Sequence, residues 1–249
     1  GEFIKEYLDE AAIENDFVFV PGETRTNLKV VDPAKGTNTD INEPGPDITP
    51  ENVQAVSQKL FQTLDGASVV VLSGSIPRKV APTIYQQWIF EAKKRGAKTI
   101  LDADGELLKY GLEAGPYLIK PNIHELERLI GRPIVGTDDT IAVVRELMQQ
   151  YGIEMVALSM GEKGALFVNK EKAVLAHGIK VDVKSTVGAG DSMVAALAYS
   201  LDQGYAFEKA VTLAVAAGTA NVMTDGTQPS TLSAILEMEK RVTFEYCNH

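Results

Sequence analysis

The stretch Ser185-Thr186-Val187-Gly188-Ala189-Gly190-Asp191-Ser192 holds residue types that can do phosphate chemistry. Gly188, Ala189 and Gly190 carry almost no side chain, so their backbone amides can approach an anion closely. The apolar-periodic segment that follows predicts a helix, whose positive N-terminal end adds to the attraction. Asp191 falls in the first turn of that helix, beside the anion site without blocking it. A carboxylate so placed suits removal of a proton from a hydroxyl that attacks a phosphate. Aspartate in a first turn is also ordinary capping chemistry, and on these residues alone both roles stand.

Other segments carry chemistry of the same kind. Lys120-Pro121-Asn122-Ile123-His124-Glu125 reads as a strand-to-helix junction, because Pro121 holds Lys120 extended and suits a first helical position. Asn122 and Glu125 then share a helix face, where an amide oxygen and a carboxylate can orient a hydrated magnesium ion. The same spacing is that of a capping pair. Ser159-Met160-Gly161-Glu162-Lys163-Gly164 sets two glycines either against a nucleotide or in a tight turn into the next strand. In Gly22-Glu23-Thr24-Arg25-Thr26-Asn27-Leu28-Lys29, the alternation puts Arg25, Asn27 and Lys29 on one strand face. A guanidinium fork, an amide and an ammonium there can grip a phosphate monoester, and a solvated strand face is the other reading. Ser73-Gly74-Ser75-Ile76-Pro77 ends an apolar strand. Ser75 can bond a sugar hydroxyl or phosphate oxygen, or cap a helix after Pro77. His124 and His177 have no partner at ligand spacing, and Trp88 reads as packing of a helix on a sheet.

The elements that must position these residues follow from periodicity. Apolar residues at helical spacing from Phe3 to Ala12 predict an opening helix, and residues 17–20 a strand. Residues 27–31 and 37–42 predict a hairpin with one polar face, turned at Pro33 to Gly36. Thr49 and Pro50 are a helix start signal. From residue 50 onward, helices near 50–64, 80–95, 122–130 and 137–150 alternate with continuous apolar strands at 69–72, 99–101, 117–119 and 155–158, the pattern of a parallel sheet covered on both faces. These strands end at Ser73, Asp102, Lys120 and Ser159, so the four residues mark one functional edge. Short antiparallel strands are predicted at 165–168, 173–176 and 179–183, and helices near 189–203, 206–223 and 230–240 follow.

Bulk composition narrows the function classes. A chain of 249 residues with 45% hydrophobic content can bury a large core as one main domain. Its 24 basic and 34 acidic residues give a net charge of −10, with no basic run to make a polyanion footprint, so nucleic acid is not expected as a partner. The single cysteine, Cys247, provides neither an internal disulfide nor a thiolate metal cluster and points to a reducing compartment. No apolar run approaches the length of a membrane span, and the opening residues do not read as a signal peptide. The expectation is a soluble cytoplasmic protein with no membrane partner.

Taken in their order, these motifs resemble the PfkB (ribokinase-like) sugar kinases. Thr186-Val187-Gly188-Ala189-Gly190-Asp191-Ser192 is similar to the C-terminal signature of that family, Asn122 with Glu125 to its Asn-x-x-Glu magnesium motif, Ser159 to Gly164 to its nucleotide loop, and Ser73 to Pro77 to its Ser-Gly-Ser-(Leu/Ile)-Pro segment. The segment Gly22 to Lys29 is similar to the branch that phosphorylates sugar phosphates. The resemblance implies an α/β, ribokinase-like three-layer sandwich with a mainly parallel central sheet and a small β lid at about 22–46. It also implies ATP-dependent phosphoryl transfer to a ketohexose phosphate, fructose 1-phosphate giving fructose 1,6-bisphosphate. Tagatose 6-phosphate is the alternative acceptor, and a non-catalytic nucleotide- or phosphosugar-binding homologue the other class. Asp191 is then the base, and the amides of Gly188, Ala189 and Gly190 stabilise the transferred phosphoryl. Asn122 and Glu125 orient Mg2+; Lys120, Ser159, Gly161, Gly164 and Asn221 contact ATP; Arg25, Asn27, Lys29 and Ser75 hold the phosphosugar. A monovalent cation maps to the carbonyls around Ser185, Val187, Asn221 and Gly226, and a homodimer to the lid. Family members begin with a strand bearing an acidic sugar-binding residue and a Gly-Gly-Lys-Gly-type segment. This sequence begins downstream of both, so a kinase domain over 1–249 lacking the family's N-terminal segment is expected.

Overall fold

In the computed structural model, which describes residues 1–32 and 37–247, the chain divides into two units, residues 1–65 with 76–82 and residues 66–75 with 83–249. In the first unit the opening helix α1 spans Glu2–Glu10, and β1 (Asn27–Asp32) pairs antiparallel with β2 (Thr37–Asn42). The predicted turn at Pro33 to Gly36 lies outside the described residues. Helix α2 (Pro50–Thr63) starts as its sequence requires, with the Thr49 hydroxyl accepting from the Asn52 amide in a capping box and proline at the first helical position.

Residues 17–20 correct the sequence reading. They form no strand, because among the described residues no segment of their unit pairs with them, and a strand without a ladder leaves its backbone groups to water. Phe17 and Phe19 instead pack edge to face, their ring centroids 6.4 Å apart.

The second unit is built on a seven-stranded sheet whose spatial order follows the chain: β3 (Val69–Ser73), β4 (Lys98–Asp102), β5 (Leu118–Ile119), β6 (Met155–Ser159), β7 (Gly164–Asn169), β8 (Ala173–His177) and β9 (Phe244–Tyr246). β3 to β6 run parallel, and β7 to β9 continue the sheet antiparallel. The parallel strands are joined through α3 (Ile84–Lys94), α4 (Gly105–Glu113), α5 (Ile123–Ile130) and α6 (Gly136–Tyr151). Right-handed crossovers that step one way across a sheet stack their helices on a single face. The other face is left to α7 (Ala189–Asp202) and α8 (Phe207–Val222), with α9 (Leu232–Glu239) packed on α8. Between that face and the helices lies a core of Ile100, Leu118, Phe167 and Val174 against Met193, Leu197, Val211 and Ala214. The alanine-rich α8 buries most of its length, since small residues on every side allow neighbours to approach from all directions. No helix among the described residues is long and apolar enough to cross a membrane.

Three further expectations are corrected here. α3 begins at Ile84 with Thr83 as its cap, not near residue 80, because Pro82 disfavours helical backbone at Ala81. Residues 179–183 form no strand, and the place beside β8 is taken by β9. The backbone of Lys184 and Ser185 is bonded to the Val222 carbonyl at the end of α8, so this stretch serves as a connector into α7. Helix α4 was not anticipated from the sequence. Its glycines at 105 and 111 weaken the helical signal, yet Asp104 caps it and Gly111 leaves room for the Leu101 side chain, from which a Cβ there would lie 2.6 Å.

Candidate active site

The four parallel strands deliver their last residues to one edge, as predicted for Ser73, Asp102, Lys120 and Ser159. Ser73 is paired in register with Asp102, and the Lys120 amide donates to the Leu101 carbonyl. An isolated parallel bridge joins Asn122 to Ser159. Beyond these ends lies a cavity of about 290 Å³ lined by Ser73, Gly74, Ser75, Asp102, Ala103, Asp104, Leu107, Glu125 and Asp191.

Gly188 is the residue from which α7 starts, and its φ of +80° explains the glycine, because a side chain is strained in that region. The first amides of a helix have no acceptor within it, so the backbone N–H groups of Ala189, Gly190 and Asp191 stand open to a ligand. Asp191 occupies the third helical position and is exposed on the cavity wall. Among the described contacts its carboxylate has no hydrogen-bond or ion-pair partner. A cap would have one. The residue that caps α7 is Gly188.

Lys120 is buried at 7% exposure, and its ammonium lies 3.1 Å from Asp102 Oδ1. It sits directly over the start of α7, since a Cβ on Gly190 would come within 3.3 Å of Lys120 Nζ. A cation is disfavoured at a helix N-terminus. The Asp102 carboxylate offsets this, and an arriving phosphate would offset it further. Burial pushes the Asp102 carboxyl above the usual carboxylate range; Lys120 opposes the rise, and the charge of Asp191 adds to it. Glu125 is also raised, chiefly by burial, with the Asn122 amide and Lys120 pulling it back.

Asn122 and Glu125 form a reciprocal capping box: Asn122 Oδ1 accepts from the Glu125 amide and Glu125 Oε2 from the Asn122 amide, each at 2.9 Å. The structure therefore shows the capping bonds of this pair, and lone pairs on both oxygen groups are left for a ligand. Asp104 and Arg128 tie the start of α4 to α5 through an ion pair of 2.7 Å.

The two glycines after Ser159 separate. Gly164, at φ +100°, is held by the fold itself: a Cβ would lie 2.1 Å from the Ala176 carbonyl oxygen. Gly161, at φ +61° in a short 3-10 turn, faces open space. Gly164→Ala is expected to cost at least about 3 kcal/mol by forcing the β7–β8 hairpin apart, and Gly161→Ala only about 1 kcal/mol of backbone strain. Urea unfolding of the two variants checks the contrast.

Asn221, on the last turn of α8, is 3% exposed. Its Nδ2 donates to the Gln228 carbonyl at 3.4 Å, while its Oδ1 has no partner and lies 3.3 Å from where a Gly188 Cβ would be. A buried acceptor left open beside the anion cradle suits a donor or a cation. Ser75 follows Gly74 on the cavity wall, and the next helix, α3, starts only at Ile84 with Thr83 as its cap, which removes the capping alternative for Ser75. Arg25, Asn27 and Lys29 belong to the hairpin unit, with Asn27 opposite Asn42 and Lys29 opposite Asp40 in the ladder. Arg25 and Asn27 are exposed, and the side-chain placement of Lys29 lies outside the described part of the structure. His124 stands 3.6 Å from Glu127 on the surface of α5, and Trp88 packs beside Tyr85 with centroids 5.8 Å apart. Sequence reasoning missed Asp104, Leu107 and Tyr85. The first two come with α4, and nothing in the spacing of Tyr85 separates it from a packing residue.

A helix end open to oxyanions, a buried lysine above it and a carboxylate without a partner beside it, all at the carboxyl edge of a parallel sheet, define an α/β phosphotransferase. Four carboxylates line the cavity, but no three His, Cys, Asp or Glu groups among the described residues converge on one point. Such a donor set would suit a hydrated hard cation and does not fit an all-protein metal cage. The chain belongs to the pfkB family of carbohydrate kinases, whose profile matches residues 1–234. It is 36% identical over 224 residues to the 1-phosphofructokinase of Borreliella burgdorferi, covering 90% of this chain and 71% of that protein. The phosphofructokinase-2 of Escherichia coli in complex with substrates and products superimposes with a TM-score of 0.90 at 30% identity, covering 96% of this chain and 78% of the other. The same enzyme in complex with potassium gives a TM-score of 0.88, again at 30% identity and with 96% and 78% covered.

Proposed function

We propose that this kinase transfers the terminal phosphoryl group of ATP to a ketohexose phosphate, with fructose 1-phosphate as acceptor and fructose 1,6-bisphosphate as product. The observation that carries the reading is Asp191, a carboxylate without a partner, on the cavity wall two residues from an open helix end. The name of the Borreliella burgdorferi relative supports the choice of acceptor.

In this reading Asp191 accepts the proton of the acceptor hydroxyl while that oxygen forms its bond to the transferred phosphorus and the bond to the leaving ADP oxygen breaks. The amides of Gly188, Ala189 and Gly190 take the charge that builds on the transferred oxygens. Lys120 holds a phosphate oxygen beside the same helix end, and Ser159, Gly161, Gly164 and Asn221 bound the nucleotide. Asn122 and Glu125 would hold a hydrated Mg2+, which would supply charge neutralisation for the phosphates. Ser75 and the hairpin residues Arg25, Asn27 and Lys29 are assigned to the phosphosugar on chemical type and spacing. The open Asn221 Oδ1 supports a monovalent cation held with the carbonyls around Ser185, Val187 and Gly226. The cytoplasm is the compartment assigned to the chain, as one that supplies ATP to a soluble kinase. On the hairpin, Leu28, Val30 and Ile41 form one exposed apolar face, and a second copy of the chain is the partner assigned to it.

An ADP-release assay with fructose 1-phosphate, tagatose 6-phosphate, fructose 6-phosphate and free ketohexoses tests the reading, run in potassium and in a bulky organic cation. The expected result is fastest turnover of fructose 1-phosphate in potassium. Turnover of free sugars alone overturns the phosphosugar assignment, and ATP binding without any turnover overturns the kinase reading. Sedimentation of the same sample as a monomer overturns the dimer.

A further inference from the structure

We infer that Tyr85 is a positioning residue for the Ser73-Gly74-Ser75 turn, its hydroxyl pinning the piece of cavity wall that meets the acceptor. The inference rests on the kinase reading above. Ser73, Gly74 and Ser75 are all exposed, and a Cβ at Gly74 would meet nothing within 4 Å, so packing does not hold this turn in place. Its left-handed glycine, at φ +87°, leaves the chain free to take other conformations.

Hydrogen bonds restrain it, among them a bond between the Ser73 side chain and Asp102. On one side the Gly74 amide donates to the Asp102 carbonyl at 2.9 Å, tying the turn to the neighbouring strand end. On the other side the Tyr85 hydroxyl donates to the Ser73 carbonyl at 3.0 Å, with the Gly74 carbonyl at 3.4 Å as a second acceptor. Tyr85 stands in the first turn of α3, 6% exposed and with its ring packed at a tilt beside Trp88, so the donor itself is held in place by packing. Burial, and after it the charge of Asp102, pushes the phenol above its ordinary value, so the hydroxyl stays a donor well beyond neutral pH.

The choice of acceptors matters for what the cavity binds. Asp102, Asp104, Glu125 and Asp191 already line it with negative charge. Two unengaged carbonyls on the same wall would add partial negative charge where a phosphorylated substrate must sit. Engaged by Tyr85, those carbonyls are partly neutralised, and Ser75 is held in one place for its contact with the acceptor.

Tyr85→Phe keeps the ring and deletes the pin. Loss of one such bond is expected to raise the KM for fructose 1-phosphate roughly 2- to 12-fold, with kcat and the KM for ATP unchanged. Amide hydrogen exchange at Gly74 and Ser75 should accelerate by a similar factor, while β4 and β5 amides keep their rates. Trp88→Phe, which disturbs the packing beside Tyr85 and keeps the Tyr85 hydroxyl, is expected to lower thermal stability without changing the acceptor KM. Unchanged exchange at Gly74 and Ser75 in Tyr85→Phe overturns the inference. So does a rise in the acceptor KM that Trp88→Phe reproduces. Absence of turnover in the parent protein overturns the kinase reading separately, and the exchange rates still decide the role of Tyr85.

Discussion

Asp191→Asn is expected to lower turnover by roughly 10² to 10⁴, the range that a positioned general base contributes. The substitution keeps size and hydrogen-bonding capacity, and Asp191 makes no described contact that the amide would break. Its effect on folding is limited to the favourable placement of an anion near a helix start, about 0.3–1 kcal/mol. The two roles left open by the sequence therefore separate in one variant. A base loses rate and keeps stability; a cap loses stability and keeps rate. A second reading comes from Asp102, whose carboxyl is raised in part by the charge of Asp191. Removing that charge should lower the Asp102 titration, which carbon-detected NMR can follow without any substrate. A variant that turns over at near-parental rate would remove Asp191 from the chemistry.

Lys120→Met has the second large effect, and it acts first on the fold. Lys120 is buried, and the side chain of its partner Asp102 is only 17% exposed, so the substitution strands a carboxylate that burial already disfavours. Breaking such a pair from one side costs about 3–5 kcal/mol. Lys120→Met combined with Asp102→Asn removes both charges and is expected to recover more than half of the loss. Urea unfolding of the parent, both single variants and the double variant measures the coupling. Additive losses would show that the two groups do not stabilise one another.

Much of this site was legible in one dimension, for local reasons. The glycine-to-helix turn at 188–191, the box between Asn122 and Glu125, and the start of α2 at Thr49 are each specified within a few residues by φ, by capping bonds and by proline geometry. The alternation of apolar strands with helices was likewise enough to place Ser73, Asp102, Lys120 and Ser159 at strand ends, because a parallel sheet buried on both faces reads as continuous apolar runs. Residues 17–20 and 179–183 show where that logic stops. Both have strand-like composition, and neither is a strand, because strand formation depends on a partner that no local pattern supplies.

By itself the sequence determined a helix N-terminus with Asp191 in its first turn, parallel strands ending at Ser73, Asp102, Lys120 and Ser159, and a resemblance to sugar kinases. Only the tertiary structure decided that Lys120 is buried over Gly190 and paired with Asp102, that Asn221 keeps an open acceptor beside Gly188, that Gly164 is held by the Ala176 carbonyl while Gly161 is not, and that Tyr85 reaches back to the Ser73 turn. Each of these depends on which strands and helices are neighbours and how closely they approach. Such distances arise from packing between residues far apart in the chain, and local propensity does not encode them.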